Sequence, residues 1–418
     1  MRLALSFFWC LTYSFVFGQQ YPYKQTIAQL CAPEYAGRGY VDSGCIRAAD
    51  FIEAEFQKIG LQPLEGNYQQ PFSLSVQTFP GSCLFVAGND TLRPGVDYLV
   101  DPASAGVRSQ NYEVVYCNAA TLYRSVNAFK PCPKDRILVV STTGYGADTN
   151  KVLQTRLREL QTFAATIEFT SNKLTWSVSQ QAKPYPSFQV LSTAFETKPK
   201  YVFIDLESKF IPDFTSNNIV GYLPAAKKAK KKPYLVVTAH YDHLGKMGKD
   251  TYFPGANDNA SGVGMLLYLA QLLSQQHDPN YNYVFIAFGA EEAGLVGSRY
   301  FVEHPLFELK KIKFLLNTDI MGSGEEGITA VNATLFKTEF ARLTQINQEG
   351  SYIAQVKSRG PAANSDHYFF TEKGVPAFFV YTMGPNKHYH DIEDKAAALS
   401  YAAFEPLAQL LLQFIRSF

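Results

Sequence analysis

The sequence predicts an α/β fold: a mixed, mostly parallel sheet covered by helices on both faces, with a β-rich domain inserted into it. Three observations carry that expectation. Apolar runs rich in β-branched and aromatic residues, at residues 234–240 (YLVVTAH), 283–289 (YVFIAFG), 312–318 (IKFLLNT) and 375–381 (VPAFFVY), alternate with helical stretches, as in a parallel or mixed sheet buried on both sides. The helix expected over 263–273 (VGMLLYLAQLL) is too apolar to face water on any side and must lie against that sheet. Between residues 81 and 214 the texture changes to short strands punctuated by Gly, Pro and Asn, which reads as a separate inserted unit.

The 418 residues, 46% hydrophobic and 18% charged, suffice for two domains of ordinary size. A formal net charge of +1 gives no overall pull toward nucleic acid or an anionic membrane surface. Residues 1–18 pair a single charge at Arg2 with an uncharged run, LALSFFWCLTYSFVF, and place Val16 and Gly18 at the −3 and −1 positions of a cleavage site, as in a secretory signal peptide. The run is shorter than the ~20 residues a membrane span needs. No stable membrane insertion is expected after cleavage, and the mature protein, beginning near Gln19, would be secreted or periplasmic. In that oxidising setting the five remaining cysteines suggest two disulfides and one free thiol, with Cys31–Cys45 and Cys117–Cys132 closing the shortest loops and connectivity left open.

Along the chain, Ala49, Ile52, Phe56 and Ile59 recur at helical spacing until Gly60 stops the pattern, which predicts an amphipathic helix. Residues 69–79 alternate as a strand. In the inserted unit, residues 136–141, 164–169 and 201–206 read as strands. Residues 218–223 form a short strand, and the lysine-rich 225–233 (AAKKAKKKP) reads as a solvated hairpin loop joining it to the strand at 234, the two strands pairing. A helix over 395–418 closes the chain.

Chemistry-bearing residues gather where these strands end: His240, Asp258, the Glu291-Glu292 pair, Asp319 and His390. Singly, each has a plainer role, such as an N-cap for Asp258 or a solvated helix start for the Glu pair. Together they bring several carboxylates to the ends of buried strands, where unpaired acid is costly and cations are required.

The motifs His240-Tyr-Asp242, Gly255-Ala-Asn-Asp258-Asn-Ala-Ser-Gly262, Gly289-Ala-Glu291-Glu292-Ala-Gly294, Asn317-Thr-Asp319, Ser365-Asp366-His367 and Tyr389-His390-Asp-Ile-Glu-Asp394 resemble, in order, those of the dinuclear zinc aminopeptidases of metallopeptidase family 28. The likeness covers residues 25–80 and 215–418; over 81–214 it is looser and resembles the protease-associated insert. The domain plan it implies is a signal peptide at 1–18, a zinc peptidase domain at 19–80 and 215–418, and the insert at 81–214. The resemblance further implies that Asp258 bridges two Zn2+ ions, one also held by His240 and Asp319, the other by Glu292 and His390. It makes Glu291 the general base, Asp242 the group that orients an imidazole, and the Asp258–Asn259 peptide cis. Only nitrogen and oxygen ligands are offered, so Co2+ or Mn2+ could substitute.

Peptides with a free N-terminus are the expected substrates. A carboxypeptidase on the same fold would need a cation at the pocket mouth, for which Arg359 is the candidate. A glutaminyl cyclase works with one zinc, and a non-catalytic binding ectodomain would have lost ligands that this chain keeps. Lys395 and Tyr389 depart from common family residues at positions that are not ligands. The sequon at Asn259 is expected to be buried in the metal motif, whereas those at Asn89 and Asn332 matter only if the host glycosylates.

Overall fold

The computed structural model describes residues 21–195, 197–225, 232–275 and 280–418. The proposed signal peptide and residues 226–231 of the lysine-rich turn lie outside the described residues.

The main sheet has eight strands: β1 (Gln69–Thr78), β2 (Lys209–Leu223), β3 (Tyr234–His240), β4 (Asn282–Phe288), β5 (Ile312–Thr318), β6 (Ile328–Val331), β7 (Val356–Ser358) and β8 (Ala377–Thr382). They lie in the order β1-β2-β4-β3-β5-β8-β6-β7. The four central strands, β4, β3, β5 and β8, run parallel; β2 flanks them antiparallel on one side, with β1 antiparallel to β2 at the edge, and β6 flanks them antiparallel on the other. The mixed, centrally parallel sheet is therefore as expected. One detail differs: β2 and β3, on either side of the lysine-rich turn, do not pair, because β4 is inserted between them. Closeness in sequence suggested a hairpin, but the parallel crossover through the apolar helix brings β4 back beside both.

Side-chain alternation shows why this sheet is covered twice. Leu235, Val237 and Ala239 of β3, with Tyr283, Phe285 and Ala287 of β4, face one hydrophobic layer. Val236, Val284, Ile286 and Phe288 face the other. The first layer is closed by helices α1 (Tyr23–Leu30), α2 (Gly44–Ile59), α3 (Ser261–Gln275) and, at the C-terminus, Phe404–Arg416. The closing helix thus starts at Phe404, later than the 395 expected, because Ala396–Ala398 form only a short 3-10 turn. Helix α2 ends in a left-handed Gly60, whose N–H bonds Gln57 O while Leu61 N–H bonds Phe56 O, a glycine C-cap of the expected kind.

A second eight-stranded sheet is built entirely within residues 83–206, with helices Ala119–Arg124 and Ala147–Leu160 packed on it. The junction lies earlier than the 215 boundary, since β2 already pairs with β1 from Lys209, opposite Thr78. This unit shares a core with the main-sheet half: Trp176 stacks on Phe253 at 4.7 Å and packs near Phe79, Leu244 and Met247.

The five described cysteines are free thiols, so the expected disulfides are not formed. Short loop length favours closure entropically but says nothing of geometry; Cys31 and Cys45 are instead buried as small core residues. Asn259 is buried as expected, and Asn332 is too, its amide donating to Thr371 Oγ1 and Ala377 O; of the three sequons only Asn89 is exposed.

Candidate metal centre

The parallel strands β3, β4 and β5 end level, with His240 paired in register to Phe288, so the residues just beyond them converge on one crevice, the usual ligand position in open α/β sheets. His240 closes β3, Glu291 and Glu292 follow β4, Asp319 follows β5, and His390 lies in the loop after β8. Asp258 is supplied by the turn before α3. That turn needs glycine at its start: Gly255 has φ +59°, and a Cβ there would sit 2.4 Å from Asp258 O. The Asp258–Asn259 peptide is cis, as expected.

Asp258 lies between two histidines. Its Oδ1 is 3.3 Å from His240 Nε2, which is also 3.5 Å from Asp319 Oδ1. Its Oδ2 is 3.1 Å from His390 Nε2, itself 3.1 Å from Glu292 Oε2. One carboxylate thus joins two half-sites, His240 with Asp319 and His390 with Glu292. Asp319 Oδ1 and His390 Nε2 are buried without a hydrogen-bond partner, which is costly unless a cation satisfies them. The residues present therefore fit a pair of metal ions.

Each candidate ligand is held from behind. Ser365 Oγ donates to Asp319 Oδ2 at 2.9 Å, leaving Oδ1 for the centre, and Asn317 donates to Ser365 Oγ. Asp394 accepts the backbone N–H groups of Asn257 and Asp258. Asp242 works by a different route from the one expected. His240 Nδ1 is 3.2 Å from the backbone carbonyl of Asp242 but 3.8 Å from its carboxylate. The Asp242 carboxylate instead accepts the N–H groups of Glu291 (2.9 Å) and Glu292 (3.2 Å). It thereby fixes the turn that aims both glutamates.

Charge follows this geometry. Burial opposes protonation of His240 and His390, but the acids around them prevail: Glu291 and Asp319, with contacts to Asp258, hold His240 well above the ordinary imidazole range, and Glu292 and Asp258 push His390 up to about 11. Against its own burial, Asp258 is held well below the usual carboxylate range by its two histidines. Glu292, likewise buried, is drawn down to about 2 by His390 and His243. Glu291 goes the other way. Burial and the acids Glu292, Asp366 and Asp319 raise it well above the usual range despite His240. Acid exceeds base in this crevice, as a cation site requires.

Three functional neighbours carried no recognised signal. His243 is buried, and its Nδ1 lies 2.7 Å from Glu292 Oε1, the oxygen turned away from His390; its position three residues after His240 was the available clue. Trp176, from the insert, offers its carbonyl to His390 Nδ1 at 2.8 Å. Arg38 is wholly buried, and its guanidinium donates to the carbonyls of Leu30, Tyr241, Pro254, Gly255 and Asp258, pinning the Asp258 turn to the end of β3. Arg38→Met should cost roughly 3 kcal/mol or more, because several buried carbonyls lose their donor together. Urea unfolding tests this, and an unchanged midpoint would contradict the pinning role.

His240, Asp258, Glu291 and Asp319 line a cavity of about 340 Å³ together with Arg359, Phe379, Tyr381 and Tyr389, a size suited to a small ligand or one end of a peptide.

A sequence model described as Peptidase family M28 matches residues 218–415. The chain is similar to aminopeptidase YwaD of Bacillus subtilis, 32% identical over 219 residues that cover 49% of this chain and 45% of that protein. It is also similar to the probable lipoprotein aminopeptidase LpqL of Mycobacterium tuberculosis, 33% identical over 178 residues covering 39% and 34%. Both matches span less than half of the relative's length. Among solved structures, a zinc aminopeptidase from Bacillus subtilis superposes with a TM-score of 0.71 and 20% identity over 94% of each chain, a likeness of fold across both sheets.

Proposed function

We infer, from the match of residues 218–415 to the peptidase family M28 model, that the chain is a zinc-dependent aminopeptidase that hydrolyses the N-terminal peptide bond of peptides. The observation that carries this reading is Asp258 shared between two imidazole–carboxylate half-sites. Two zinc ions would be held by His240, Asp258 and Asp319 and by Asp258, Glu292 and His390; cobalt or manganese could replace them. Zinc bound there would lower the pKa of a water and polarise the scissile carbonyl.

The protein's own part falls to Glu291. It lines the cavity and belongs to neither half-site, so its free carboxylate can take a proton from the attacking water and pass it to the departing amine. Asp242 keeps that carboxylate aimed by holding its backbone N–H. Secretion or a periplasmic location is part of the same reading and rests on the sequence of residues 1–18. Among the described residues no helix is long and apolar enough to cross a membrane.

Arg359 supports a second reading. It lines the same cavity, is exposed, and donates to Tyr381 Oη at 3.3 Å, so it could clamp a terminal carboxylate as a carboxypeptidase needs. Amino-acid anilides, free and N-acetylated, and N-blocked dipeptides with a free C-terminus separate the two. Chelator-sensitive hydrolysis of the free-amine anilides alone is expected. Cleavage confined to the N-blocked dipeptides would replace the aminopeptidase with the carboxypeptidase.

A further inference from the structure

Four of the five candidate ligands are oriented by the catalytic half itself: His240 by the Asp242 carbonyl, Asp319 by Ser365, Glu292 by His243, and Asp258 by the N–H groups that Asp394 accepts. His390 is the exception. Its Nδ1 is 2.8 Å from the carbonyl of Trp176, and Trp176 N–H donates back to His390 O at 3.1 Å. Both bonds cross from the insert, between residues 214 positions apart in the chain.

The segment that makes them is irregular in backbone but fixed at both ends. The Trp176 indole N–H donates to Val100 O at 2.8 Å, within an insert strand, and its ring stacks on Phe253 of the catalytic half. Three residues earlier, Lys173 Nζ donates to the carbonyls of Lys387 and Tyr389 and pairs with Asp391 Oδ2 at 2.7 Å. The loop carrying His390 is thus held at residues 387, 389, 390 and 391, each time by residues 173–176. With Nδ1 held at the Trp176 carbonyl, Nε2, the ring nitrogen that would be offered to a metal, is turned toward Asp258 and Glu292. Such partners commonly contribute 10–100-fold to metal affinity.

We propose that the insert is a positioning element for one metal site only: residues 173–176 orient His390, so the site of Asp258, Glu292 and His390 depends on the insert, and the site of His240, Asp258 and Asp319 does not. This rests on the two-metal reading above. A function follows from it. Displacing this strap would empty one site while the other stays filled, so occupancy of the second site reports the docking of the insert.

The test uses the full chain and graded chelator. Metal per chain is measured after dialysis for the wild type and for Lys173→Met, which removes three surface contacts without touching a core, and Trp176→Phe, which keeps an aromatic ring but loses the indole bond. The wild type should hold two metal ions. Each variant should release one of them at about 10–100-fold lower chelator concentration and keep the other unchanged, and Lys173→Met should melt as the wild type does in the metal-free form; Lys173→Arg should restore the second ion. Release of both ions at wild-type chelator concentrations in both variants would overturn the positioning role. A wild type that binds a single ion would overturn the two-metal reading itself, and this proposal with it.

Discussion

Glu291→Gln should lower turnover by about 10²–10⁴-fold and leave the metal content of the protein unchanged. The side chain lines the cavity beside His240, Asp258 and Asp319, and neither half-site described above includes it. Glutamine keeps the shape and the backbone bond to Asp242 but cannot accept a proton. Steady-state kinetics and metal analysis on one preparation check both halves of the expectation. Loss of metal along with activity would make Glu291 a ligand and require another base.

Asp258→Ala should have the other large effect, through metal rather than through the proton. Its two oxygens face different histidines, so removing them weakens both half-sites together. Affinity for each ion should fall by more than the 10–100-fold that loss of an orienting neighbour costs, and activity with it. Titration of the metal-free variant measures this. One ion retained at wild-type affinity would show that the half-sites do not share Asp258.

Part of this centre was legible in the sequence because His240, the Glu291-Glu292 pair and Asp319 close or follow buried strands, whose β-branched runs are hard to mistake. Asp258, in the turn before α3, and His390, in the loop after β8, were legible from the motifs that carry the family resemblance rather than from that pattern. Backbone groups were not legible. The carbonyls of Asp242 and Trp176 orient the two histidines, and a carbonyl has no residue signature. For the same reason Asp242 was assigned an imidazole partner on the strength of its side chain, which in fact serves the Glu291-Glu292 turn. Strand neighbours were hidden too, since alternation reveals a strand's faces but not that β4 lies between β2 and β3. The thiols show a further limit, because spacing says nothing of whether two sulfur atoms meet.

The buried guanidinium of Arg38 bears on what counts as a self-sufficient piece of this molecule. The stretch matched by the family model begins at residue 218, well after Arg38 and helices α1 and α2. A fragment cut at that point would keep every candidate metal ligand yet lose the donor to Pro254, Gly255 and Asp258. It would also leave the sheet face under Ile27, Ile52 and Phe56 open to water. The folded unit around the candidate metal centre is therefore discontinuous in the chain. Residues 21–60 act as an intramolecular clasp, and homology boundaries drawn around the candidate ligands alone underestimate the smallest piece able to fold.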